Sequence, residues 1–209
     1  MKKTICYELK DLKQMERVKR LKLINSISGV KSANLIGTKS LNGVTNLCII
    51  SSVTHIGSNP VLIGFICRPN KKVKRDTFNN ILENPYFTIN SVERSKVKNA
   101  HFTSGKYPAE ISEFQECGFN ELYIKKFPAP FVLTSRVKIG LELVQKVELL
   151  NGTYFLIGKV KVLNIPMYFM EKQIEKNIGV VGLNSYYSIQ KIDDYEYVRV
   201  DNNLFTLNK

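Results

Sequence analysis

Ser51-Ser52-Val53-Thr54 interrupt an otherwise apolar stretch, NLCIISSVTHIGSNPVLIGFICRP (residues 46–69), and Arg68, Arg75 and Thr77 follow a short way on. Small hydroxyl side chains with accessible backbone offer many hydrogen bonds to a flat polar ligand at little steric cost. A long polar hairpin loop that satisfies its own backbone is the plainer alternative. Arg68 closes the second apolar run, and Arg75-Asp76-Thr77 opens RDTFNNILEN, where Asp76-Thr77 is the expected N-cap of a short helix. Guanidinium groups and a hydroxyl beside unpaired first-turn N–H groups have the composition of a phosphate cradle. The competing reading is a solvated basic loop. His101, with Thr103 and Ser104 in AHFTSGKYPAEISEF, is a candidate for donating to an anion or moving a proton, against a purely structural histidine. Glu110 and Glu113 nearby are equally compatible with caps or ion pairs, and no nucleophile–base spacing accompanies them.

These groups need elements to hold them. Mixed apolar spacing over residues 11–28 predicts an amphipathic helix. Strands are expected at about 46–52 and 61–67, and again in YFTINSV. Asn42-Gly43 and Asn151-Gly152 are hairpin signals, the second joining two long strands, SRVKIGLELVQKVELL and TYFLIGKVKVLNI. A further short helix is expected around Met170–Lys176. Tyr186-Tyr187 reads as core, or as a lid over an aromatic ligand. Hairpin-linked strands with few short helices predict a mainly β chain, a closed antiparallel barrel with helical decorations. Regular βαβ alternation, a GxGxxG after a strand and a P-loop are all missing, so a doubly wound nucleotide fold is not indicated.

Composition narrows the class further. At 209 residues and 44% hydrophobic content the chain can bury one substantial core. The net charge of +13 is spread along the chain, densest in KKVKR (Lys71–Arg75), without a zinc-finger or RNA-binding signature. Most of this charge is expected to be solvated surface, with a small part aimed at an anionic ligand, and nucleic acid is not the expected partner. Four scattered cysteines and two histidines show no metal-ligand spacing, and reduced thiols in a cytoplasmic, soluble protein are expected. The charged N-terminal stretch lacks a signal peptide's apolar core, and Val61–Cys67 is too short to cross a bilayer.

Taken together, NLCIISSVTHIGSNPVLIGFICRP, RDTFNNILENPYFTINSV, AHFTSGKYPAEISEF and, more weakly, GLNSYY resemble the flavin reductase-like family of FMN-binding split barrels, over roughly residues 20–190. The resemblance implies one domain over residues 1–209, a six-stranded antiparallel Greek-key split barrel, and a homodimer holding FMN near its interface. It implies an FMN-dependent NAD(P)H oxidoreductase passing hydride or electrons from NADH or NADPH through FMN to a flavin or another small acceptor. An FMN electron carrier of the flavoredoxin type, without nicotinamide activity, is the alternative. Residue by residue, it implies Ser51, Ser52, Val53 and Thr54 along the flavin, and Arg68, Arg75 and Thr77 at the ribityl phosphate. Asn90 and Ser91 would lie beside the cofactor and His101 toward the substrate side, as a catalytic candidate. Two departures stand out. Arg75 replaces a common lysine, which keeps the charge, and Ser58-Asn59-Pro60-Val61 replaces Asp-Pro-Pro, which puts that loop's contacts in question.

Overall fold

The computed structural model describes residues 3–70, 74–171 and 177–195. Two helices come first, α1 (Leu9–Gln14) and α2 (Arg17–Ile27), where the sequence predicted one. The break has a local cause. The Glu16 carboxylate accepts from the backbone N–H groups of Val18 (2.8 Å) and Lys19 (2.9 Å), which caps a new helix in mid-segment. Neither helix buries a residue.

The strands follow as β1 (Lys31–Ser32), β2 (Asn34–Lys39), β3 (Thr45–Ile50), β4 (Thr54–Ser58) and β5 (Val61–Cys67). Helix α3 (Asp76–Glu83) leads into β6 (Tyr86–Ser91). A 3-10 turn at Arg94–Lys96, α4 (Val97–Phe102) and α5 (Glu113–Glu116) precede the short pair β7 (Glu121–Leu122) and β8 (Phe131–Val132). The long hairpin β9 (Lys138–Glu148) and β10 (Tyr154–Asn164) is next, then a second 3-10 turn, Met167–Met170. The described chain ends through β11 (Asn177–Val181) and β12 (Ser185–Ile189). The helix predicted around Met170–Lys176 begins where that 3-10 turn ends, and its remaining positions 172–176 lie outside the described residues. Both Asn-Gly pairs turn hairpins, with Gly43 and Gly152 at φ +86° and +76°, a conformation that glycine adopts without a Cβ clash.

Seven strands pair antiparallel in the order β3-β2-β6-β9-β10-β5-β4. Strands β3 and β4 occupy opposite ends of this order, yet only Ser51, Ser52 and Val53 separate them in sequence. Four residue steps span at most about 14 Å. Six inter-strand gaps laid flat would span roughly 29 Å. The sheet must therefore curl until its two edges approach, which makes it an open-seamed barrel. The predicted fold class, mainly β with a split barrel and short helices, is the one observed. Its sheet has seven strands rather than six because the polar insert is not all loop. Thr54–Ser58 pairs with β5, Thr54 opposite Gly64 and Ser58 opposite Val61.

Strand β2 buries both faces, with Leu35 and Ile36 on opposite sides, because a separate apolar cluster covers each. On the Ile36 side, Phe65, Phe87, Leu141 and Leu156 fill the barrel, and α3 lays Phe78 and Ile81 onto the same cluster. On the Leu35 side, Leu47, Phe114 and Val132 meet Ile178 and Val180 of a small second sheet, β1-β11-β12. Gly37 of β2 is fixed by a close approach: a Cβ there would lie 2.4 Å from the Pro130 carbonyl oxygen. Among the described residues no helix is long and apolar enough to cross a membrane.

Candidate functional site

Strands β3 and β5, the start of α3, the segment between α4 and α5, and the end of α2 converge on one cleft of about 650 Å³. A buried polar chain runs beneath it. Asn46 Nδ2 donates to Glu113 Oε2 (2.8 Å), and Leu47 N–H donates to the same oxygen (3.1 Å). Thr77 Oγ1 donates to Asn46 Oδ1 (2.7 Å). This chain ties the first turn of α5 to β3 and then to the first turn of α3. Burial pushes the Glu113 carboxyl above its ordinary range, although the two N–H donors oppose the shift. Cys48 and Cys67 also line the cleft, their thiols pushed up by burial to about 12 and about 11. Both are neutral near pH 7 and act as small apolar wall groups rather than nucleophiles.

Of the residues singled out from sequence, Ser51, Ser52, Arg68, Arg75 and Thr77 line this cleft together. Ser52 is also structural. Beyond the pair Thr54–Gly64, β5 has lost β4 as a partner, and Ser52 Oγ takes its place at Ile66. It accepts from Ile66 N–H (3.0 Å) and donates to Ile66 O (3.2 Å), stitching the seam of the barrel. Arg75, rather than Asp76 or Thr77, is the N-cap of α3. Its N–H donates to Asn70 Oδ1 (2.6 Å), and Asn70 Nδ2 donates to Asn79 Oδ1 (2.7 Å), so Asn70 clamps the loop onto the helix. Arg75 Nε is buried and has no hydrogen-bond partner among the described residues.

The other five are elsewhere. Val53 packs onto the barrel core, and Thr54 is exposed at the start of the edge strand β4. Asn90 is fully buried, donating to Leu35 O (3.2 Å) and Thr88 Oγ1 (2.9 Å) and accepting from Val132 N–H (3.0 Å). Ser91 lines a separate pocket of about 380 Å³ and accepts from Val137 N–H (3.1 Å). His101 Nδ1 lies 2.9 Å from the Tyr186 hydroxyl, bridging α4 to β12, while the cleft wall begins two residues later at Thr103. Tyr186 packs against the core on the Leu35 side.

Residues 30–168 match the model of the flavin reductase like domain. The chain belongs to that family. A split-barrel protein of flavin-reductase type from Shewanella frigidimarina NCIMB 400 is 38% identical, with a TM-score of 0.87 over 93% of this chain and 100% of its own. Nitrilotriacetate monooxygenase component B from Bacillus cereus is 16% identical, with a TM-score of 0.82 over 93% and 100% of the two chains. An FMN-binding protein from Thermus thermophilus is 14% identical, with a TM-score of 0.69 over 80% and 91%. The last two share the fold.

Part of the cleft lies outside the matched flavin reductase like domain. Ile24, Asn25 and Ser28, at and just beyond the end of α2, precede residue 30 and still line the wall. Sequence reading passed over them as site residues: the apolar spacing predicted an amphipathic helix, but α2 buries no residue and instead lends its end to the cleft wall. It also passed over Asn46, whose partner Glu113 is 67 positions away. Cations surround the opening. Lys31, Arg68, Lys74, Arg75 and Lys106 all line it, and none has a carboxylate within ion-pairing distance among the described residues.

Proposed function

We propose that the cleft binds FMN and that the protein is an FMN-dependent oxidoreductase, taking hydride from NADH or NADPH and passing electrons to a flavin or another small acceptor. The observation that carries this reading is Arg75 Nε, a buried donor without a partner on the wall that Arg68 also lines. A phosphate monoester offers the acceptor oxygens such a donor lacks, and arginine holds them in a fixed fork. The first turn of α3 adds N–H groups that have no intrahelical acceptor. A terminal phosphate there fits FMN, and the Thermus thermophilus relative is named for the same cofactor.

Bound FMN supplies the hydride and electron chemistry itself. The chain binds, orients and shelters it. Thr77 commits its hydroxyl to Asn46 and offers the phosphate its backbone N–H. Ser51 and the backbone of Ser51–Ser52 would hold the ring system, on a loop that Ser52 ties to β5. Val53 anchors that loop to the barrel core, while Asn90 and Ser91 are committed to holding β6 to its neighbours and Thr54 begins the edge strand β4. His101 braces the wall after α4 through Tyr186. The reading includes a homodimer with the cofactor near its interface, measurable by light scattering, and a reducing compartment in keeping with four free cysteines.

The test is anaerobic mixing of FMN-loaded protein with NADH or NADPH while flavin absorbance is followed. Bleaching by either nicotinamide supports the oxidoreductase. Bleaching by dithionite alone replaces it with an electron carrier.

A further inference from the structure

One phosphate does not account for the charge of the cleft. Five cations line it, against the carboxylates of Asp76 and Glu113. An FMN phosphate, bringing a charge of about −1.5 to −2, leaves a cationic surplus even with both carboxylates ionised. The surplus is not all on the α3 wall. Lys31 follows α2, and Lys106 belongs to the segment between α4 and α5.

Lys31 is held in place. Its Nζ donates to Asn25 O (2.8 Å) and to Ser28 Oγ (3.0 Å), at the C-terminal end of α2 where carbonyl groups favour a cation. An ammonium has three donors, and these contacts use two. Fixing it beforehand removes much of the ordering cost of binding an anion. Lys106 is exposed beside Gly105 on another wall of the same cleft.

We propose that Lys31 and Lys106 form a second anion subsite, which takes the 2′-phosphate of NADPH and makes the phosphorylated nicotinamide the preferred reductant. The inference rests on the FMN reading, because that reading assigns the FMN phosphate to the wall of Arg68 and Arg75 and leaves Lys31 and Lys106 for a second anion. NADH carries the pyrophosphate alone. NADPH adds a phosphate monoester, and partly exposed lysines contribute modest, salt-screened attraction to it. Each lysine is expected to contribute up to roughly fivefold in affinity.

The experiment titrates full-length, FMN-saturated protein with 2′-phospho-ADP-ribose and with ADP-ribose by calorimetry, so that no turnover intervenes. The expected result is roughly two- to thirtyfold tighter binding of the 2′-phosphorylated probe, falling as salt rises. The double variant Lys31→Met, Lys106→Met should bind both probes equally while its FMN affinity stays unchanged, which also shows that it has folded. Equal affinity of the native protein for the two probes, binding of neither, or a preference that survives in the double variant overturns the subsite. Failure of the cofactor reading shows earlier, as no uptake of FMN, and removes the subsite with it.

Discussion

Replacing Arg75 with methionine keeps a long apolar stem and deletes only the guanidinium. Its Nε is buried without a partner among the described residues, a condition that costs about 1–3 kcal/mol when a donor is left unmatched. The backbone N–H stays bonded to Asn70 Oδ1 in the variant, so the start of α3 keeps its clamp. Without ligand, Arg75→Met should therefore not lower stability. With ligand the balance reverses, because a hydrogen bond to a charged group contributes about 1.5–3 kcal/mol. That corresponds to a loss of roughly 10- to 150-fold in FMN affinity. Riboflavin, which has the same ring system and no phosphate, should bind the native protein and the variant alike. Quenching of flavin fluorescence measures both constants, and thermal unfolding of ligand-free protein measures the stability arm. An equal loss for riboflavin and FMN, or an unchanged FMN constant, would refute the assignment of Arg75 to the phosphate.

Ser52→Ala removes both hydrogen bonds to Ile66 and should lower unfolding stability by about 1–3 kcal/mol, read from denaturant midpoints. Gly37→Ala forces a Cβ to within 2.4 Å of the Pro130 carbonyl oxygen, in a strand buried on both faces. It should cost roughly 1–3 kcal/mol or more, or leave insoluble protein. Glu113 gives a pH signature. Burial raises its folded-state pKa, so the folded state keeps a proton that the unfolded chain has released. Its contribution to stability is undiminished below the ordinary carboxyl value of 4.5 and falls as pH rises from there through the raised pKa. Glu113→Gln keeps an acceptor for Asn46 and Leu47, and subtracting its stability–pH curve from the native one should isolate that fall.

What the sequence made legible was local or patterned. The two Asn-Gly hairpins and the strand Val61–Cys67 fall where turn chemistry and apolar runs put them. Ser51, Ser52, Arg68, Arg75 and Thr77 come together because the sheet curls until β3 meets β5 across the seam, and α3 follows β5 in sequence. Legibility ended where one residue did two jobs, or where its partner was distant in sequence. Ser52 had the composition of a ligand contact and is also the stitch of the barrel seam. Thr54 looked the same in sequence, but pairing with Gly64 carries it onto an exposed edge strand. Asn90 is a polar residue in an apolar strand whose amide is consumed by Leu35, Thr88 and Val132, the last 42 positions away. No spacing rule connects Glu113 to Asn46 or Lys31 to Lys106, since tertiary closure alone brings them to one cleft.

Titration of purified, ligand-free protein with FMN, followed by fluorescence quenching and visible absorbance, tests the central claim most directly. Saturation at one FMN per chain, with riboflavin bound at least about tenfold more weakly, is the predicted result. Protein that stays colourless and leaves FMN fluorescence unquenched would contradict it.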